Sequence, residues 1–128
     1  MHTRHNPAGV APPFSSYSHG VTAPAESRWL HISGQVGVRP DGSLAEQPRE
    51  QLDQTWHNLL AVLADAGMGP RDLVKVTAYL TRPDEVPLYR ETRDAMLEGA
   101  EPASTLVLVA GLAHPDWLVE IEAIAAAP

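Results

Sequence analysis

The sequence predicts an α+β domain: one mixed sheet with two helices covering a single face. Three observations lead there. Apolar residues recur at three- and four-residue spacing in two stretches, other short stretches alternate with period two or are rich in β-branched residues, and the two kinds interleave in the order β-β-α-β-α-β-β. A length of 128 residues fits one core, domains of this kind running to roughly 100–150 residues.

Residues 1–14 hold Pro7, Pro12 and Pro13 without any period and read as an irregular arm, leaving 15–128 as the domain. Tyr17–Ala23 suits a short edge strand. In Arg28–Ser33, Trp29, His31 and Ser33 alternate with Leu30 and Ile32, which predicts a strand, and Pro40-Asp41-Gly42 is a turn signal able to close a hairpin. The first helix is carried by Leu52, Trp56, Leu59, Leu60 and Leu63, with Pro48 in its first turn and Gly67 at its C-terminal cap. Leu73–Leu80 reads as a strand with Val74, Val76, Ala78 and Leu80 on one face. A second helix follows from about Glu85 to Leu97, with Asp84 as its cap, Pro87 tolerated in its first turn and Gly99 ending it. Ser104–Ala110 and Trp117–Ala125 are the last two strands. Thr105-Leu106-Val107-Leu108-Val109 is apolar on both faces, so both faces must be buried, and a second copy of the chain is the simplest cover.

Composition narrows the function. Nine Lys+Arg against 16 Asp+Glu give a formal charge of −7, and Lys75 is the only lysine, so nothing in the chain favours nucleic acid. Without cysteine there is no disulfide framework, thiol nucleophile or Cys-ligated zinc, and the six histidines show no metal-binding spacing. No metal and no cofactor is expected, since nucleotide-binding and α/β-hydrolase motifs are also missing. No run approaches the about 18 apolar residues of a membrane helix, and the first residues hold no apolar core of a secretory signal, which predicts a cytoplasmic protein with no membrane partner.

Several residues are candidates for chemistry. Glu120 and Glu122 share one face of the last strand with Leu118 and Ile124, and two carboxylates on an apolar face are costly unless solvated, paired or functional. They read either as a solvated or ion-paired face or as a general acid/base. Ser33-Gly34-Gln35 closes a strand with a glycine that lets a ligand approach the backbone, or simply marks a bulge. Arg90 and Arg93 lie among acids on the second helix, where Arg90–Asp94 has the spacing of a surface ion pair. Trp117 precedes Glu120 and suits either packing or the wall of a pocket.

Five segments together resemble the RidA/YjgF family: Tyr17-Ser18-His19-Gly20-Val21, Ile32-Ser33-Gly34-Gln35-Val36, Leu63-Ala64-Asp65-Ala66-Gly67, Val74-Lys75-Val76-Thr77-Ala78-Tyr79-Leu80 and Val119-Glu120-Ile121-Glu122-Ala123-Ile124-Ala125. They occur in family order across residues 6–126. The resemblance implies a chorismate-mutase-like fold assembled as a homotrimeric barrel, with clefts between subunits. It also implies cofactor-free hydrolysis of small enamines and imines such as 2-aminoacrylate to a keto acid and ammonia. By resemblance, Glu120 positions and deprotonates the hydrolytic water, helped by the backbone at Thr105. Gly34, with Ser33 beside it, contacts the ligand carboxylate, Tyr17 closes the cleft, and Arg90 falls near a cleft-facing position of the second helix. The family's carboxylate-clamping arginine sits in a Pro-Ala-Arg-Ser type segment, and here Ala103 is assigned to its place, giving an arginine-lacking member. Losing such a charge-assisted contact removes about 1.5–3 kcal/mol of binding. Arg90 is the candidate replacement. The substitution leaves a non-hydrolytic tautomerase or cyclising enzyme, or a metabolite-binding protein, as alternatives to the hydrolase.

Overall fold

The computed structural model describes residues 1–128. Its strands are β1 (Thr3–His5), β2 (Gly20–Thr22), β3 (Arg28–Gln35), β4 (Leu73–Leu80), β5 (Ala103–Leu108) and β6 (Val119–Ala127), and its helices are α1 (Pro48–Asp65) and α2 (Val86–Leu97). The main sheet has the order β3-β6-β4-β5, antiparallel except for the parallel β4–β5 pair, so it is mixed as the sequence predicts. The β-α-β unit β4-α2-β5 accounts for the parallel pair, because a parallel neighbour needs a crossover connection.

Side-chain alternation decides which face the helices cover. Val76, Ala78 and Leu80 of β4 and Ile121, Ala123 and Ala125 of β6 are buried in one cluster with Leu52, Trp56, Leu59 and Leu63 of α1 and Tyr89 and Leu97 of α2. The intervening residues Lys75, Thr77, Tyr79, Glu120, Glu122 and Ile124 fall on the other, open face. Buried Gln51 ties this core to the loops: its side-chain amide donates to the Ala45 and Asp116 carbonyls at 3.1 and 3.2 Å and accepts from the Leu118 N–H at 2.5 Å.

Three local differences from the sequence reading have physical causes. Residues 1–14 are not wholly irregular, because Thr3–His5 pairs antiparallel with Gly20–Thr22 in a separate two-stranded ribbon; three residues are too few to show a period. The expected edge strand shortens accordingly, and Ser18 instead bridges to Ala103. Asp84 does not cap α2: Pro83–Glu85 coil into a 3-10 turn, which moves the N-cap to Glu85 with no side-chain cap bond. Glu85 is buried beside Arg82 at 3.5 Å, and burial pushes its carboxyl above the usual range. α2 ends with two successive left-handed residues, Glu98 (φ 50) and Gly99 (φ 86), so the glycine foreseen there completes a turn that a glutamate begins.

Candidate active site

β3 carries an irregularity where the sequence places Ser33 and Gly34. Ile32 pairs with Ala123, yet Gln35 pairs with Ile121, so one extra residue is accommodated and the strand bulges. The Glu120 side chain lies directly against this bulge. A Cβ built on Gly34 would overlap Glu120 Oε2 and stand 2.7 Å from Glu120 Cδ. Glycine is therefore required for the carboxylate to occupy this position. Ser33 is exposed beside it.

The two carboxylates of β6 are chemically distinct. Glu122 Oε1 accepts the Tyr79 hydroxyl at 3.0 Å, and that hydrogen bond to a carboxylate, with desolvation and the charges of Glu122 and Glu120, raises the tyrosine above its usual range. Glu120 is half-buried, pairs across the ladder with Tyr79, and has no hydrogen-bond or ion-pair partner in the chain. The pair thus divides into a tied carboxylate and a free one poised over a backbone glycine.

A second constellation forms at the β5 edge. The Ser18 hydroxyl donates to the Glu101 carbonyl at 2.6 Å and the Ser18 N–H to the Pro102 carbonyl at 3.1 Å, which lays residues 15–19 along this edge. A pocket of about 150 Å³ results, lined by Tyr17, Tyr89, Arg90, Arg93, Ser104 and Thr105 among others. The Tyr17 hydroxyl accepts the Phe14 N–H at 3.2 Å. Thr105 Oγ1 accepts from Lys75 Nζ, the chain's single lysine, at 2.6 Å. Burial pushes the Tyr89 hydroxyl up to about 12.

The Arg90–Asp94 pair suggested by spacing does not form. Asp94 Oδ1 instead accepts Arg93 Nε at 3.1 Å and Nη2 at 3.0 Å. Arg90 is exposed at the pocket and is the arginine of this chain left without a hydrogen bond or ion pair, the other seven each having one. Arg93 is 3% exposed, its guanidinium carbon 5.8 Å from the Tyr89 ring centre.

The assignment of Ala103 to the family arginine's place needs correction. Ala103 pairs with Lys75 in the ladder and does not line the pocket, whereas Ser104 does. Laying Pro-Ala-Arg-Ser on Pro102-Ala103-Ser104-Thr105 gives the same answer: the residue in the arginine's place is Ser104. Its Oγ is buried without a partner.

The candidate residues therefore fall into two groups within one chain. Tyr17, Arg90 and Thr105 meet at the β5 pocket, Ser33, Gly34 and Glu120 at the β3–β6 bulge. Two strand spacings, about 10 Å, separate the rows carrying Thr105 and Glu120. Trp117 joins neither group and stacks on the His114 ring at 5.6 Å and 27°. Arg93 and Ser104 were missed as site residues. A sequence signal existed for Arg93: it lies four residues after Tyr89 and four before Leu97, a charge on the buried stripe of its helix. No cluster of three or more His, Asp or Glu side chains is placed to hold a metal ion.

The family model described as endoribonuclease L-PSP matches residues 8–127. The 2-iminobutanoate/2-iminopropanoate deaminase of Salmonella typhimurium is 32% identical over 127 residues, covering 96% of this chain and 93% of the relative. A RutC family protein of Pyrococcus horikoshii is 32% identical, covering 88% of each chain. Among solved structures, the Rid family protein YyfB of Yersinia pestis superposes with a TM-score of 0.89 at 34% identity over 98% of both chains. The chain belongs to the RidA/YjgF family.

Proposed function

We propose that this protein is an enamine/imine deaminase that hydrolyses small 2-imino acids in clefts between the subunits of a homotrimer. The observation that carries the reading is the free Glu120 carboxylate seated on the Gly34 backbone. A carboxylate with no internal partner is available to orient and deprotonate a water. The water oxygen bonds to the imine carbon as Glu120 takes its proton and passes it to the nitrogen, and Glu120 then carries the carbinolamine hydroxyl proton to the same nitrogen, ending as the carboxylate it began. The carbinolamine then collapses, the C–N bond breaks, and ammonia leaves a keto acid. Gly34 N–H and Arg90 hold the substrate carboxylate, and Tyr17 closes the cleft. The Salmonella relative's name as an imine deaminase supports the reaction class.

Geometry and burial support self-association, which we take to be trimeric. The two constellations lie apart on one chain, so a neighbouring copy is needed to bring a β5 pocket up to a β6 glutamate. Trp29, Val107 and Leu108 are 53%, 38% and 48% exposed, which suits surfaces covered by another chain. No helix is long and apolar enough to cross a membrane.

The test is release of 2-oxobutanoate and ammonia from 2-iminobutanoate generated in situ. The protein is expected to accelerate release well above the spontaneous rate in buffer. A rate equal to buffer, at protein concentrations where the oligomer is intact, rejects the deaminase reading and leaves metabolite binding or non-hydrolytic chemistry on the same scaffold.

A further inference from the structure

We infer that Arg93 and Ser104 complete, beside Arg90 and the Gly34 N–H of a neighbouring copy, the carboxylate seat of the β5 pocket, so the clamp a strand arginine provides elsewhere in the family comes here from α2. The inference rests on the deaminase reading for its substrate class, small aliphatic 2-imino acids, but not for the geometry of Arg93 and Ser104.

Arg93 is fixed on two sides. Its guanidinium lies over the Tyr89 ring, and both Nε and Nη2 are spent on one oxygen of Asp94. Nη1 makes no hydrogen bond in the chain, and it is absent from the sealed, unpartnered polar atoms, which are Trp56 Nε1 and Ser104 Oγ. Arg93 lines the pocket, and Nη1 is the guanidinium nitrogen not spent on Asp94. Ser104 lines the same pocket, and its Oγ is buried in the wall without a partner, a state that is unfavourable until an acceptor arrives. No carboxylate lines this pocket, although the chain carries a net −7, and unpaired Arg90 adds a third donor group at its mouth.

Substituting a short serine for a strand arginine leaves space between β5 and α2, and the helix arginine faces that space. A volume of about 150 Å³ equals the share of roughly five water molecules, enough for a carboxylate and a short chain against Phe14 and Leu106. The seat thus suits small monocarboxylates.

The experiment is calorimetric titration of the intact oligomer with 2-oxobutanoate, the stable keto-acid product, paired with KM and kcat for 2-iminobutanoate. Arg93→Gln and Ser104→Ala are expected to weaken Kd, the arginine change by about ten- to a hundredfold and the serine change by a few-fold to tenfold. Both should raise KM by similar factors with little change in kcat, a split that a merely structural defect does not produce. Ser104→Ala deletes one buried, unpaired hydroxyl and keeps the question answerable should Arg93→Gln fail to fold. Kd and KM within twofold of wild type in Ser104→Ala and in any folded Arg93 variant overturn the seat, as does wild-type protein that does not bind 2-oxobutanoate. Turnover with unshifted constants removes the seat and keeps the deaminase. Binding that needs Ser104 without any turnover keeps the seat and removes the deaminase.

Discussion

Glu120→Ala is expected to lower the rate of 2-imino acid hydrolysis by about 100- to 10,000-fold, the range for removing a positioned general base. The loss should fall on kcat, because the carboxylate is assigned to the water and not to the anionic end of the substrate. Its fold should survive, since Glu120 makes no internal hydrogen bond or ion pair whose loss would strand a partner. Glu122→Ala is the contrasting change. It frees the Tyr79 hydroxyl, returning that group toward its ordinary titration range, and should cost far less activity. Initial rates of keto-acid and ammonia release, measured beside unchanged circular dichroism, check the pair. A Glu120→Ala protein within twofold of wild type would remove this residue from the mechanism.

Gly34→Ala should nearly reproduce that loss by a different route. One added methyl overlaps Glu120 Oε2, so either the carboxylate swings away or β3 shifts. A misplacement of about 1 Å in a reacting group costs on the order of 100-fold in rate. Overpacking adds about 1–3 kcal/mol of destabilisation, read as a lower Tm. The double variant Gly34→Ala/Glu120→Ala should recover much of that stability and none of the activity, because the clash partner is gone. Wild-type kcat in Gly34→Ala would mean that the carboxylate does not work from its seat on the bulge.

How far the sequence discloses this arrangement depends on how local each feature is. The helices and central strands were legible because burial writes a period: Leu52, Trp56, Leu59 and Leu63 along α1, and Val76, Ala78 and Leu80 along β4, are all buried. β1 was not legible, since three residues carry no period and the strand exists only through pairing with Gly20–Thr22. Asp84 satisfied a capping rule that Pro83 overrode by starting a tighter turn one step earlier.

The candidate site shows the same division. Glu120 and Gly34 stand out in sequence as a carboxylate on a strand face and a glycine in a strand, but their contact depends on an extra residue in β3, a register detail no local pattern encodes. Glu120 and Glu122 look equivalent along the strand, and only the cross-strand Tyr79 separates them. Arg93 stands in sequence among acids on a charged helix, where an arginine usually meets solvent, and its burial against Tyr89 is a property of the packed helix. A one-residue slip exchanges the faces of a strand, and it separated Ala103 from Ser104 in reading the arginine's place.

In the proposed oligomer each active site is shared between chains, with Glu120 from one and the β5 pocket from its neighbour. Mixing two inactive variants tests this most directly. Glu120→Ala keeps an intact pocket, and Arg90→Glu keeps an intact glutamate while reversing the pocket's free positive charge. Unfolded together in equal amounts and refolded, with hybrid oligomers confirmed by native mass spectrometry, they should regain about a quarter of wild-type deaminase activity, the chance that an interface receives one sound half from each side. Hybrids that remain as inactive as the parent variants would contradict a shared site and return Glu120 and the pocket to separate roles.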